Sequence, residues 1–154
     1  MAENAQYVTL GLNGELYAAP VALVQEILDV QPIARLPQAP DNLLGMTDVR
    51  GEGIPVLDLR LTLGLPPAED TQNTRIVVLK LDAPGRGMRV GLRTDRVFEV
   101  TVLDSETLDP APNVTGAWRE HVVAGIGRRN GAFVTVLDLD RLLTQNEQSL
   151  ASAA

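Results

Sequence analysis

The sequence contains two copies of one pattern, and this internal repeat limits the folds that the chain can adopt. The stretch LLGMTDVRGEGIPVLDL (43–59) aligns with VAGIGRRNGAFVTVLDL (123–139) at an offset of 80 residues. Earlier in each copy the offset is 73, and the aligned pairs are Val24 with Val97, Glu26 with Glu99, Ile27 with Val100 and Pro37 with Pro110. The difference of seven residues places an insertion after Pro110. The chain is therefore predicted to fold as two similar halves.

Both halves consist of short segments rich in Val, Ile and Leu, such as QYVTLGL and TRIVVLKL, with turn residues between them. Roughly ten such segments, with no long segment of helical period, predict an all-β fold with little helix. Five strands in each half can close into a small barrel that has few open edges. The stretch PVALVQEILDV (20–30) is ambiguous, since its apolar spacing fits either a short helix or a turn that enters a strand.

The predicted architecture is two barrels packed together in one folding unit. The unit spans about residues 7–145, with a first barrel at about 7–65, a second at about 74–145, and flexible tails at 1–6 and 146–154. A single barrel of roughly 70 residues is marginally stable on its own. We therefore expect each barrel to depend on packing against the other.

Composition excludes several classes of function. The chain has 154 residues, no cysteine, one histidine and a net charge of −7. Disulfides and thiol catalysis are excluded, zinc chemistry has little scope, and nucleic acid is not an expected partner because its phosphates need a basic surface. There is no apolar run long enough to span a membrane and no secretory signal at the amino terminus, so a cytoplasmic protein is expected.

Three stretches resemble sites of chemistry but have simpler structural interpretations. GRGMRVG (85–91) lacks the spacing of a phosphate loop, and a hairpin loop explains it. DSETLDP (104–110) is acidic but lacks the ligand periodicity of a calcium site, and a solvated turn explains it. Asp58 and Asp138 occupy equivalent positions in the two copies, which indicates a repeated turn or helix cap rather than a catalytic pair.

His121 and Trp118 complete the search for candidate chemistry. His121 has no Ser, Cys or Asp at triad-like spacing, so a surface or packed histidine is the default interpretation. Trp118 is either a plug for the second barrel or an exposed anchor. Since no nucleophile, metal cluster or cofactor loop is found, the chain is predicted to be a binding module without enzymatic activity, metal or cofactor.

Arg50 is the clearest candidate for a binding residue. It precedes Gly51 at the corner of a predicted hairpin, and the second copy has Asn130 at this position. Asn-Gly is a turn dipeptide that a hairpin needs for its own geometry, whereas an arginine is not needed. The residues predicted to build turns are Gly45, Gly51, Gly53 and Asp58. Arg50 is then either a partner contact or a surface arginine paired with a carboxylate such as Asp48.

Several motifs, taken in order, resemble those of the CheW coupling proteins of bacterial chemotaxis. The longest is LLGMTDVRGEGIPVLDLRLTLG, and the others are VALVQEILDV, RVGLRTDRVFEV, LDPAP and VVAGIGRRNGAFVTVLDLDRLL. The resemblance covers about residues 7–143, which is nearly the whole chain. It implies a fold of two five-stranded SH3-like barrels, in agreement with the repeat.

The resemblance also implies a function. The protein is expected to be an adaptor that couples methyl-accepting chemoreceptors to the histidine kinase CheA and helps to build signalling arrays. Its implied partners are the regulatory domain of CheA and the cytoplasmic tip of the receptor, and it is expected to be a monomer when free and to be recruited to membrane-associated arrays. The alternative is a CheW-like regulatory domain detached from a kinase or response-regulator fusion that serves a pathway other than motility.

In such proteins the receptor tip lies in a groove between the barrels. The residues that match this groove are Val24, Glu26, Ile27, Arg50, Gly91, Val97 and Val100. The apolar members can anchor a helix, and Arg50 and Glu26 can fix its register. Asp48 stands where Asn is common in the family and Arg93 stands where an apolar residue is usual, so either is expected to adjust affinity or receptor choice. The resemblance identifies no kinase contact in this chain.

Overall fold

The computed structural model describes residues 5–83, 86–110 and 122–143, and these residues form ten β-strands with little helix. The strands are β1 (Gln6–Leu12), β2 (Glu15–Pro20), β3 (Val24–Asp29), β4 (Leu43–Val49), β5 (Glu52–Asp58), β6 (Arg75–Ala83), β7 (Arg86–Thr94), β8 (Arg96–Val102), β9 (Val123–Arg129) and β10 (Ala132–Leu137). The helix α1 (Leu59–Thr62) follows β5, and residues 139–143 are helical at the equivalent place after β10. The predicted all-β fold is confirmed.

The strands form two five-stranded sheets, and a single bridge closes each sheet on itself. The strand orders are β8-β1-β2-β10-β9, which we call barrel A, and β3-β6-β7-β5-β4, which we call barrel B. In barrel B, Ala34 follows the edge strand β3 and pairs with Met46 of the other edge strand, β4. In barrel A, Asp109 follows β8 and pairs with Ile126 of β9 in the same way. The two barrels therefore share one topology.

The barrels do not coincide with the two halves predicted from the repeat, 7–65 and 74–145. β1 and β2 belong to the first half but pair with β8 and β10 of the second half. β6 and β7 of the second half pair with β3 and β5 and complete barrel B. The predicted boundaries are wrong because sequence similarity shows that two stretches share a structure, but not which strands each stretch pairs with. The two halves have exchanged their first two strands.

The structure also resolves the ambiguous stretch 20–30. It is a 3-10 turn (Val21–Leu23) that leads directly into β3. At Asp95, between β7 and β8, the chain leaves barrel B and enters barrel A. The predictions that lie outside the described residues are those for most of the inserted segment, for Trp118 and His121, and for the tails at 1–4 and 146–154.

Three clusters of buried apolar side chains form the core. The largest contains side chains from both barrels and so lies between them, and we call it the shared core. Its buried members are Val8, Leu10, Leu12, Ala19, Leu57, Leu59, Val77, Leu79, Leu81, Val90, Leu92, Val122, Leu137, Leu139, Leu142 and Leu143. Smaller clusters fill the interiors of barrel B and barrel A. This arrangement explains how two marginal barrels can support each other.

Strand β6 shows how the sequence encodes this arrangement. Ile76 and Val78 belong to the cluster inside barrel B, whereas Val77 and Leu79 belong to the shared core. A strand that is covered on both faces reads as a continuous apolar run rather than as an alternating one. The run RIVVLKL has this pattern, so it predicts a strand between two cores.

The three glycines predicted to build turns have different roles. Gly51 is in the β4–β5 turn with a φ of +85°. Gly45 lies within β4 at the closing bridge, where its φ is +144° and an added Cβ would be 2.1 Å from the Ala34 carbonyl oxygen. Gly53 is a β5 residue paired with Asp48, so the prediction of a turn role is wrong for Gly45 and Gly53 alike. A two-residue turn needs special backbone angles only at its two central positions, which are Arg50 and Gly51.

Asp58 is a helix cap, one of the two structural roles that its repeated position predicts. Its Oδ1 accepts a hydrogen bond from the Arg60 N–H at 3.0 Å and so satisfies a free donor in the first turn of α1. Asp138 accepts from the Arg141 N–H at 3.1 Å in the equivalent helical segment. The two aspartates are therefore capping residues in both copies.

Candidate partner-binding site

Two edge strands carry the apolar side chains expected in the groove. β3 is at one edge of the barrel B sheet, and β8 is at one edge of the barrel A sheet. Cross-strand partners lie on the same face of a sheet, so the partner of each residue shows which way that residue faces. The pairs are Val24 with Leu79, Ile27 with Val77, Val97 with Leu10, and Val100 with Val8. All four partners belong to the shared core, so all four candidates face the junction between the barrels.

Val24, Ile27, Val97 and Val100 form the accessible margin of the shared core, and we call these four residues the groove. Val24 and Val97 are half-buried against the shared core, whereas Ile27 is 40% and Val100 is 53% exposed. They are two pairs of equivalent residues in the repeat, Val24 with Val97 and Ile27 with Val100, and each pair has one residue in each barrel. Exposed apolar side chains next to a buried core are suited to contact the apolar face of a helix.

Arg50 occupies a position in which its side chain is costly to the backbone. Its φ is +50° and that of Gly51 is +85°, which defines a type I′ hairpin turn. Asn is preferred over Arg at the first place of such a turn, because left-handed backbone angles are unfavourable for most side chains. Among the described residues, Asn13-Gly14 and Asn130-Gly131 have the same pair of positive φ angles. The turn therefore does not require the Arg50 side chain.

The Arg50 guanidinium forms a two-pronged ion pair with Glu26. Nη1 donates to Oε1 at 3.0 Å, and Nη2 donates to Oε2. The hydrogen bond from Arg50 is the main cause that lowers the pKa of Glu26. The Arg50 side chain is still 71% exposed, so a partner can reach it. Asp48, the partner considered from the sequence, instead accepts the Gly51 N–H at 2.7 Å and stabilises the turn.

The ion pair and the groove lie on opposite faces of β3. Glu26 is the cross-strand partner of Val78, which belongs to the cluster inside barrel B. Ile27, the next residue, is the partner of Val77 in the shared core. The four apolar candidates thus face the shared core, and Glu26 of the charged pair lies on the other face of β3, next to Ile27 along the strand.

Gly91 was included among the predicted contacts, but its position does not support a contact role. It is buried in β7, and an added Cβ would be 2.8 Å from Ile76 Cγ2 and 3.4 Å from Val56 Cγ2. Close packing inside barrel B is therefore the physical reason for a glycine here. Gly91 shapes the barrel that carries the groove and is not part of the exposed surface.

Arg93, which departs from the family pattern, has a structural role. Its side chain is buried, its Nε donates to Asp70 Oδ1 at 2.7 Å, and its Nη2 donates to the Ala68 carbonyl oxygen at 2.9 Å. Its Nη1 is 3.5 Å from Asp58 Oδ2. A buried charge is tolerated only when it is paired, and these contacts provide the pairing. Arg93 therefore anchors the loop between α1 and β6 to barrel B.

The sequence interpretation did not identify a charged pair at the junction of the barrels. Arg60 on α1 donates from Nε to both carboxylate oxygens of Asp95, at 2.8 and 3.1 Å. The repeat contains evidence for this residue. Both copies have the motif Leu-Asp-Leu, but it is followed by Arg60 in the first copy and by Asp140 in the second. The same comparison that singled out Arg50 could have found Arg60.

Two exposed aromatic rings were also missed. Phe133 on β10 is 63% exposed, and the Arg128 guanidinium lies 4.4 Å from the centre of its ring. Phe98 on β8 is 47% exposed and has Arg96 at 4.8 Å. Aromatic and arginine side chains are enriched at protein-protein interfaces. Their rarity was the available signal, since the chain has only two phenylalanines.

The groove and the ion pair are suited to recognition by apolar contact and charge. Within residues 5–83, 86–110 and 122–143, no group of three or more His, Cys, Asp or Glu side chains could hold a metal ion. In the same part of the chain, no helix has the length and apolar character needed to cross a membrane.

Comparison with known proteins identifies relatives along nearly the whole chain. A family model described as a CheW-like domain matches residues 6–147. The chemotaxis protein CheW of Klebsiella aerogenes is 28% identical over 146 residues, which are 94% of this chain and 85% of that protein. The CheW of Treponema pallidum is 30% identical over 156 aligned positions and covers 97% of this chain and 89% of that protein. The crystal structure of the scaffolding protein TtCheW from Thermoanaerobacter tengcongensis matches with a TM-score of 0.79 at 26% identity, covering 92% of this chain and 89% of that one.

Two closed sheets around a shared core, with an apolar groove and a flanking ion pair, define a protein-binding module built from a duplicated barrel. Its family follows from the match over residues 6–147: the chain belongs to the CheW-like family. Its role is that of a chemotaxis coupling adaptor, and the alternative of a detached regulatory domain is not favoured.

Proposed function

We propose that this protein connects methyl-accepting chemoreceptors to a CheA-type histidine kinase and helps to build their signalling arrays, without catalysing a reaction. The free protein is a cytoplasmic monomer that receptors recruit to membrane-associated arrays. The groove receives the helical tip of the receptor, with Arg50 and Glu26 at its flank. The regulatory domain of the kinase binds a different surface, so that both partners are held at once.

The observation that carries this proposal is the arrangement of the groove. Four apolar side chains from two equivalent edge strands face the same junction, and two of them, Ile27 and Val100, are about half exposed. A receptor tip is a helical hairpin, and a helix is typically bound through an apolar stripe with charges at the side. The exposed Arg50 can supply such a charge by exchanging the Glu26 carboxylate for one on the partner.

A coupling protein also needs a second contact surface, and Phe133 marks a candidate for it. Phe133 lies on β10, which β1 and β2 separate from the groove strand β8 in the barrel A sheet. The equivalent residue of barrel B is Gly53, so this exposed ring is found in one copy only. Phe133 and Arg128 are therefore proposed to contribute to kinase binding, through apolar contact more than through charge.

Binding measurements with two separate partners test the proposal. Val24→Asp places a charge in the groove and should weaken binding of a receptor tip fragment by roughly tenfold or more, as for the loss of a central contact. Binding of the kinase regulatory domain should be nearly unchanged. Val30→Asp is the matched control, because Val30 is 40% exposed just beyond β3 but is not part of the groove. Equal effects of the two variants on the tip would contradict the assignment of the groove.

A further inference from the structure

The Arg60–Asp95 ion pair lies where the chain passes from one barrel to the other. Asp95 is the single residue between β7 of barrel B and β8 of barrel A. Arg60 belongs to α1, which follows β5 of barrel B, and its side chain is only 11% exposed. Its position is fixed because its own N–H is held by the Asp58 cap. The pair therefore joins the capped first turn of α1 to the start of β8.

The same two side chains also hold the first hairpin turn of barrel A. Asp95 Oδ2 accepts the Asn13 backbone N–H at 2.9 Å, and Arg60 Nη2 is 3.4 Å from Asn13 Oδ1. Arg60 Nη1 donates to the Pro66 carbonyl oxygen at 2.7 Å. Arg60 thus binds three separate segments: the barrel junction, the β1–β2 turn and the loop after α1. A bound guanidinium with this many partners is more rigid than an isolated surface pair.

The electrostatics agree with a pair that is held in its charged form. Burial acts to raise the pKa of Asp95, but the hydrogen bonds from Arg60 and the Asn13 N–H outweigh it, so the pKa is lowered. The hydrogen bond to Asp95 likewise raises the pKa of Arg60. Both groups remain ionised at neutral pH, and the pair persists under the conditions in which the protein works.

The residues that form this pair are not repeated in the other copy. At the repeat offsets of 73 and 80, Asp95 corresponds to Ala22 and Arg60 corresponds to Asp140. The β2–β3 junction is a 3-10 turn instead. The Arg60–Asp95 contact between α1 and the start of β8 is therefore specific to this junction in sequence. Val97, a groove residue, is two positions beyond Asp95.

We infer that Arg60 and Asp95 are positioning residues for the groove: they fix β8 against barrel B and so set the spacing between Val97 and Val100 on one side and Val24 and Ile27 on the other. Neither residue needs to touch the partner. This inference rests on the proposed function, because it assigns a purpose to the spacing of the receptor-binding groove. It predicts that breaking the pair loosens the groove without unfolding the barrels.

The experiment measures the distance between the two groove strands in the full-length protein. The chain contains no cysteine, so Gln25→Cys on β3 and Thr101→Cys on β8 give two unique sites for spin labels. Asp95→Asn should broaden or shift the distance distribution measured by pulsed electron resonance. Asp95→Asn should also lower the affinity for the receptor tip fragment by about threefold to thirtyfold. This is the range expected for residues that act on a binding site through other residues. Binding of the kinase regulatory domain should change much less.

Asp70→Asn is the matched control. It removes one of the two carboxylate partners of another buried arginine, Arg93, but this pair lies within barrel B and its loop. Both variants are expected to lower the melting temperature, and only Asp95→Asn should change the distance and the tip affinity. Equal changes in the two variants, or an unchanged distance in Asp95→Asn, would overturn the inference. If Val24→Asp also leaves tip binding unchanged, the groove is not the receptor site, whereas the distance measurement still tests whether the pair fixes β8.

Discussion

At the scale of single residues, Arg50 shows how two copies of one hairpin can serve different purposes. Both copies use a type I′ turn, but one has Asn130 at the first central position and the other has Arg50. Asn is a preferred residue for the left-handed backbone angles of this turn. Arg50 adopts the same angles, and its guanidinium binds Glu26. The turn would form at least as well without the arginine, and this agrees with the proposed role of its side chain in receptor binding.

Two variants separate the possible functions of Arg50. Arg50→Asn should leave the melting temperature unchanged or raise it, because Asn is preferred in this turn. It should also lower the affinity for the receptor tip by roughly tenfold, because the positive charge is lost. The double change Glu26→Arg with Arg50→Glu restores an ion pair with reversed polarity. If Arg50 contacts the receptor, this double variant should fold normally and still bind the tip weakly. Full recovery of tip binding would show that the ion pair alone matters.

Gly45 provides a second prediction at this scale. Its φ is +144° and an added Cβ would be 2.1 Å from the Ala34 carbonyl oxygen, at the bridge that closes barrel B. Gly45→Ala should therefore lower the free energy of unfolding by about 2 kcal/mol or more, as expected for strain at a special backbone position. Gly53→Ala is the control, because its Cβ would meet only the flexible end of Met46 at 3.3 Å. Denaturant unfolding of both variants measures the difference, and similar losses would contradict the distinction.

At the scale of elements, aspartate side chains hold the hairpin turns in place. Asp48 accepts the Gly51 N–H, Asp104 accepts the Asn130 and Gly131 N–H groups, and Asp95 accepts the Asn13 N–H. Of these three, Asp95 also binds an arginine from the other barrel. Each of these aspartates thus caps a hairpin turn. Asp95 additionally makes a contact between the barrels.

This contact predicts a specific dependence of stability on pH. The pKa of Asp95 is lower in the folded protein than in the unfolded chain, so its contribution to stability is present above the unfolded pKa and is lost as the pH falls through the folded value. Asp95→Asn should therefore be less stable than the original protein at about pH 7, and the gap should narrow below about pH 4. Urea unfolding at several pH values measures the gap. A gap that stays constant with pH would contradict the charged role of Asp95.

At the scale of the whole molecule, the exchange of strands makes the two halves of the sequence dependent on each other. Barrel B uses β6 and β7 from the second half, and barrel A uses β1 and β2 from the first half. The shared core then covers one face of both barrels. Neither half contains all five strands of either barrel.

Fragments test this dependence. Residues 1–73 and 74–154 should each fail to melt cooperatively when alone, and mixing them should restore a folded complex in a ratio of about one to one, because each supplies the strands that the other lacks. Residues 21–94 are a useful control, since they contain every strand of barrel B. Circular dichroism during heating gives the result. Independent melting of fragment 74–154 at the temperature of the full chain would contradict the strand exchange.

The all-β fold and the duplication could be predicted from the sequence, because these depend on local pattern and on repeated spacing. Val24, Ile27, Val97 and Val100 came instead from the family resemblance, and their cross-strand partners show that they face the shared core. The strand exchange could not be predicted, since the sequence alone does not show to which barrel the similar strands of the two halves belong. Gly91 was misassigned for a related reason: a buried glycine and a contact glycine look alike until the packing around Ile76 is known.

The proposed coupling function requires two partners to bind at the same time on separate surfaces, and one titration tests this most directly. A receptor tip fragment is titrated into the protein alone and into the protein saturated with a kinase regulatory domain. Because the groove and the Phe133 surface are separate, the tip affinity should agree within about twofold in the two titrations, as for independent sites. Val24→Asp should abolish most tip binding in both. Displacement of the kinase domain by the tip would contradict the account.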